Sequence, residues 1–355
     1  MSYINSIGTA NAPFAHNQKD ILDFMLEMHQ VPEEDIEKVK RLYDRSEIET
    51  RYSAIEDFSL PKSKWEFIEK DKKTSIESRM KKYFEIAPSL CEKAIRKCIP
   101  NESELSMITH LITVSCTGIS APGLDIQLMQ LLDLPTTIHR TSVNFMGCYA
   151  AIHALKQANA ICNSNAFAQV LIVDVELCTI HFQDDYTMDN IAASLLFGDG
   201  SAAVLVSNEK GIYSLEDFYS EVALDGYNDM AWNISSTGFL MTLSGYVPSI
   251  IASNIEPMLL NSLKKMNIEK HDIQHWAIHP GGKKIISEIE KALNLTSNDV
   301  EISRSILNDF GNMSSVTILY VLNKMQEQIK SPNETIYSVA FGPGLTIESM
   351  FLKSC

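Results

Sequence analysis

Cys148 stands in NFMGCYAAIHAL (144–155), directly after Gly147 and just before the apolar run Ala150, Ala151, Ile152, Ala154 and Leu155. That spacing predicts a helix starting just past the thiol. The unpaired N–H groups and dipole of a helix start favour a thiolate over a thiol. A nucleophilic thiol also needs a base or cation, and donors for the oxyanion that forms when it attacks a carbonyl. Among nine histidines, His279 ends the apolar run HWAIH (275–279) and is followed at once by PGG. The carboxyl end of a buried strand is where open α/β sheets place their chemistry. On position alone, a core histidine satisfied by backbone explains it equally well. Asn312, in NDFGNMSSVTIL, follows Gly311 and precedes a helix; taken alone, its amide reads more simply as an N-cap than as an oxyanion donor. AFGPGLTIE (340–348) adds a glycine-rich turn where backbone could approach a substrate closely. Together, Cys, His and Asn suit an enzyme that holds an acyl group as a thioester and attacks it with a carbanion.

The elements that must position these residues are legible as apolar runs. Residues 18–44 read as two helices and 75–98 as another, with Met80, Tyr83, Phe84 and Ile86 on its apolar side. Strands are expected at 107–115, 170–175, 201–207, 275–279, 335–342 and 346–352, and helices at 123–132, 247–266, 283–293 and 316–329. Alternating apolar strands and helices predict an α/β fold with a largely parallel sheet covered on both faces. No Pro/Gly/Ser linker divides the chain. A weak break at NEKGIY (208–213) separates two halves of similar style, 1–208 with the cysteine and 209–355 with the histidine and asparagine.

Composition narrows the class. The 355 residues can bury a large core, and 45% hydrophobic with 21% charged residues is ordinary for a globular protein. A net charge of −15, from 45 acidic and 30 basic residues, argues against broad nucleic-acid binding. Seven cysteines at irregular spacings, without a CxxC pair, indicate free thiols in a reducing cytoplasm. Neither a leader pattern nor an apolar run of about 18 residues is present, so secretion and membrane spanning are not expected.

Five motifs in order carry a resemblance: GCYAA around Cys148, FGDGSAAV (197–204), IHPGGKKI (278–285), GNMSS (311–315) and FGPGLTIE (341–348). The chain resembles the chalcone synthase superfamily, the type III polyketide synthases, in a bacterial-type form, closely from about residue 105 onward and more loosely before it. The resemblance implies a thiolase fold of two similar α/β/α-layered halves forming one five-layered αβαβα domain. It also implies a homodimer, and a transferase acting on acyl-CoA and malonyl-CoA without metal or bound cofactor. Cys148 would take the starter acyl group. His279 would stabilise its thiolate and, with Asn312, hold the carbonyl oxygen of malonyl-CoA during decarboxylation, ahead of a Claisen condensation.

The same resemblance makes Phe197 the aromatic gatekeeper and puts Met241 where relatives usually carry a second phenylalanine. Cys116, Cys178, His181 and Ser314 fall at pocket positions, the two cysteines reading as small core filler. Trp232 falls where many relatives have glycine. If His181 and Trp232 both intrude, the cavity is small, and few condensations or a short starter are expected, giving a pyrone or small aromatic product. Lys38, Arg41 and Arg45 share one helix face, by default a solvated one. The superfamily places basic residues there against the CoA phosphates, with Lys283 and Lys284 as weaker candidates. The nearest rival is a ketoacyl synthase of the type that condenses once onto an acyl-carrier protein, which would make that carrier a partner. A thiolase or hydroxymethylglutaryl-CoA synthase fits less well, and a catalytically silent partner subunit of the same fold is the reading from a different class.

Overall fold

A computed structural model describes residues 1–68 and 73–355. The first half runs β1 (Ser2–Asn11), β2 (Phe14–Asn17), α1 (Gln18–Met28), α2 (Glu33–Asp44), β3 (Thr50–Ser53), α3 (Ile76–Cys98), α4 (Glu102–Leu105), β4 (His110–Ser115), α5 (Leu124–Leu131), β5 (His139–Asn144), α6 (Ala150–Ser164), β6 (Gln169–Leu177), α7 (Met188–Leu196) and β7 (Asp199–Ser207). The second runs β8 (Tyr213–Val222), β9 (Met230–Ser235), β10 (Gly238–Leu243), α8 (Val247–Met266), β11 (His275–Ile278), α9 (Lys283–Ala292), α10 (Glu301–Phe310), α11 (Val316–Met325), β12 (Thr335–Gly342) and β13 (Thr346–Ser354).

Nine strands form one sheet in the order β11-β12-β13-β8-β1-β7-β6-β4-β5. Strands of the second half lie on one side of the β8–β1 junction and those of the first half on the other. The sheet is mixed, which corrects the expectation of a largely parallel one. Only β11–β12, β6–β4 and β4–β5 pair in parallel, while β12–β13, β13–β8, β8–β1, β1–β7 and β7–β6 are antiparallel. An apolar run marks a strand buried on both faces but carries no information about its direction. The expectation also missed β1, β5 and β8, which contain too many polar residues to stand out in the sequence.

Three apolar clusters account for the layering. The central one holds α6 and α11 together with one face of β6, Val170 and Ile172. The opposite face of β6, Leu171, Val173, Val175 and Leu177, packs with α3, and a third cluster packs α8 and α9 on the second half. Helix α11 is buried from Val316 through Leu322, as a helix enclosed all round must be. On α6 the buried residues Ala150, Ala151, Ala154 and Ala158 are small, which lets the central helices approach closely. Alternation along β6 then sends Asp174 and Glu176 to the same face as Val170 and Ile172, toward the central helices.

Candidate active site

Cys148 lies between β5 and α6, where the chain turns sharply. Gly147 takes φ +85°, and a Cβ there would run into the Pro343 ring. That contact brings the FGPG turn against the cysteine, as its glycines foreshadow. Cys148 borders a narrow cavity with about 80 Å³ of free space. The cysteine is partly open toward that space, yet protein atoms surround the sulfur and push the thiol up to about 12. The polar side chains of Ser314 and Asn312 act in the opposite direction, while Glu176 and Asp174 add to the rise. The helix start therefore does not decide the thiol's state as expected. Helix α6 begins two residues later, and desolvation outweighs its dipole.

Asn312 is not a helix cap. Its Oδ1 accepts from the N–H of Ser314 at 2.9 Å, and its Nδ2 donates to the carbonyl of Gly281 at 3.3 Å. With Oδ1 occupied, the group left to face Cys148 is the second N–H, a donor. The turn is strained: Ser314 sits at φ +51°, held there by Asn312 and by Thr317 Oγ1 donating to its carbonyl at 2.8 Å. Arg51 fixes the other side, donating to the carbonyl of Phe197 at 2.7 Å, and Phe197 bridges Asn312 in parallel.

His279 follows β11 directly, its backbone N–H donating to Val339 at 2.9 Å. Its carbonyl accepts from Gly281 at 3.0 Å, so the residue whose own carbonyl orients Asn312 is tied to the histidine. The imidazole is 2% exposed and neither ring nitrogen has a partner among the described residues. Burial holds it neutral, down to about 3. Asn312 is 3% exposed. Neither residue lines the cavity, whereas Cys148 and Ser314 do. A thiol beside a fixed amide donor, linked through one glycine to a bare imidazole, can stabilise a sulfur anion or an enolate oxygen.

Residues 1–210 match the N-terminal domain, and residues 219–355 the C-terminal domain, of the chalcone and stilbene synthases. The chain belongs to that family. It is a type III polyketide synthase with the thiolase fold. The alpha-pyrone synthesis polyketide synthase-like Pks18 of Mycobacterium tuberculosis is 30% identical over 362 residues, covering 99% of this chain and 90% of that protein. Probable polyketide synthase 1 of Dictyostelium discoideum is 28% identical over 364 residues; this chain spans 11% of that protein's length. Among solved structures, PKS-I of the brown alga Ectocarpus siliculosus matches with a TM-score of 0.92 at 27% identity, covering 100% of this chain and 98% of that one. The C-terminal type III polyketide synthase domain of Steely1, a type I/III hybrid from Dictyostelium, matches with a TM-score of 0.92 at 27% identity over 99% of both chains.

In this synthase the expected pocket residues Cys116, Cys178, His181, Phe197, Trp232, Met241 and Ser314 all border the cavity. Trp232 and Met241 face each other across the β9–β10 hairpin. Trp232 Nε1 donates to the carbonyl of Cys116 at 2.7 Å. His181 Nε2 lies 2.7 Å from the carbonyl of Thr117, and its Nδ1 accepts from the N–H of Phe239 at 3.1 Å, which defines one neutral tautomer. Phe239 stacks on His181 with ring centroids 4.2 Å apart. The sequence reading missed Phe239, although it lies two residues before Met241 and so on the same strand face.

Lys38, Arg41 and Arg45 are exposed on or just past α2 and form no ion pairs among the described residues. Lys283 is committed, pairing with Glu47 at 2.9 Å, whereas Lys284 is exposed and unpaired among them. No helix among the described residues is long and apolar enough to cross a membrane. Nor do the described residues gather three His, Cys, Asp or Glu side chains as a metal would require.

Proposed function

We propose that this chain extends a starter acyl-CoA with malonyl-CoA, using Cys148, His279 and Asn312. The observation that carries the reading is the wiring of Asn312, which leaves one N–H toward the Cys148 thiol and is joined through Gly281 to the unpartnered His279 ring. The Cys148 proton moves to His279 as sulfur attacks the starter thioester; the CoA thiolate leaves and takes that proton. Malonyl-CoA then loses carbon dioxide, and its enolate oxygen is held by His279 and the free N–H of Asn312. The enolate carbon attacks the Cys148 thioester, sulfur leaves as a thiolate and regains a proton from solvent, and the lengthened chain remains on CoA. No step calls for a metal or bound cofactor.

The filled aromatic wall of His181, Trp232 and Phe239 supports a short starter or few extensions, with a pyrone or small aromatic product. The exposed cations Lys38, Arg41 and Arg45, with Lys284, suit the CoA phosphates. A break between 208 and 209 marks the two halves. The edge strand β5, with His139–Ser142 exposed, suits pairing with a second copy in a homodimer. Free thiols favour a reducing compartment, the cytoplasm. Incubation with malonyl-CoA and a panel of acyl-CoAs, with products identified by mass and Cys148→Ala as control, tests the reading. Consumption of malonyl groups only from an acyl-carrier protein would favour the single-condensation rival instead.

A further inference from the structure

Behind the cavity wall, β6 carries two carboxyl groups two residues apart on one face, Asp174 and Glu176, both 0% exposed. Several groups feel the charge of this pair: the thiols Cys116, Cys148 and Cys178 around the cavity and, from α3 on the opposite face of β6, Tyr83 and Cys91. No cation is among them. Two ionised carboxylates cannot share such a site, so at least one proton must remain.

Counting hydrogens shows where it sits. Glu176 is met by three donors: the N–H of Cys116 at 3.0 Å to both oxygens, Thr117 Oγ1 at 2.7 Å and Ser315 Oγ at 3.0 Å. Thr117 Oγ1 accepts from the N–H of Leu177 and donates its own proton to Glu176. Asp174 touches only Ser315 Oγ, at 2.8 Å, and its Oδ2 has no partner. A serine hydroxyl has one proton and cannot donate to both acids. An ionised Asp174 would leave a buried charge with one bare oxygen, whereas a neutral one leaves only a bare carbonyl. Asp199 shows what an ionised acid looks like in this core: it collects Ala54 N–H, Thr179 N–H and the Thr179 hydroxyl, with Arg51 nearby.

We propose that Asp174 keeps its proton at neutral pH and donates it to Ser315 Oγ, which donates to an ionised Glu176, so that one fixed negative charge stands behind Cys116 and Cys148. Asp174 and Glu176 are positioning residues. The chain Asp174–Ser315–Glu176 ties the start of α11, next to the Asn312 turn, to the Cys116–Thr117 wall, whose two carbonyls anchor Trp232 and His181. The Glu176 charge repels a thiolate at Cys148 and so favours the neutral states, thiol or thioester. The acylated sulfur, which carries no charge, is therefore a state that the site tolerates.

Infrared spectra of the whole chain at pH 7 test the proton directly. A protonated carboxylic-acid band that moves in D2O is expected in the wild type, lost in Asp174→Asn and retained in Glu176→Gln. No band in the wild type, or a band that survives Asp174→Asn, overturns the proposal. A second arm measures iodoacetamide labelling of Cys148 and rests on that cysteine being the reactive thiol; the infrared arm does not. Glu176→Gln should speed labelling on the order of tenfold at pH 7 by removing the like charge. Asp174→Asn, whose amide can still donate to Ser315, should leave labelling within about twofold. The reverse pattern would put the charge on Asp174 and overturn the assignment. If Glu176→Gln does not fold, the infrared comparison of the wild type with Asp174→Asn still decides.

Discussion

Two regions meet at the cavity and treat their polar atoms in opposite ways. On the aromatic wall every polar group is used: His181 is bonded at both nitrogens and Trp232 at its indole N–H. His279, past the end of β11, is as deeply buried as His181 yet bonded at neither nitrogen among the described residues. Burial holds both rings neutral, at about 3. A buried imidazole without partners costs stability, so a fold keeps one only where something other than stability is served. Satisfied polar groups shape the cavity, and the unsatisfied ring marks its chemistry.

The sharpest way to break this contrast is Cys148→Ala. It should abolish product formation from malonyl-CoA and acyl-CoA, read by mass, while the chain stays folded. Next come His279→Ala and Asn312→Ala, each expected to slow malonyl-CoA decarboxylation on the order of a hundredfold or more, since each removes a donor to a developing oxyanion. The histidine variant should also move the pH profile of Cys148 alkylation upward. Desolvation first, with Glu176 and Asp174, pushes that thiol up to about 12, and the neutral imidazole is the proton acceptor that lets sulfur react at lower pH. A profile unchanged by His279→Ala would place the two residues out of contact.

Smaller effects test the remaining surfaces. Replacing Lys38, Arg41 and Arg45 together by alanine should raise KM for malonyl-CoA about tenfold with kcat nearly unchanged, and weaken the salt dependence of KM. Trp232→Gly belongs to the wall, and its main expected effect is on the product: longer chains by mass, with turnover changed only a few-fold. Losing its packing and its bond to Cys116 should cost about 2 kcal/mol in a denaturant titration. An unchanged product profile would show that the wall does not limit chain length.

Much of this was legible in the chain itself. The helix at 247–266 and the strand at 335–342 have the bounds that their apolar patterns predict. His279 falls just past its strand, as HWAIHPGG suggests. The weakly patterned β1 and β8 were not visible, because their polar residues are tolerated only where neighbouring strands and helices cover them. Asp174 and Glu176 were visible as two acids within VLIVDVEL, but nothing local says which residues would receive them.

By itself the sequence determined the family, and it singled out Cys148, His279 and Asn312 as the residues proposed to act. These depend on residue type and on motifs a few positions long, which survive in any linear reading. Only the tertiary structure decided the desolvation of the thiol, the bonding of the Asn312 amide and the sharing of one Ser315 hydroxyl between Asp174 and Glu176. Each of those depends on desolvation and on how many donors converge at one point, and both come from segments far apart in the chain.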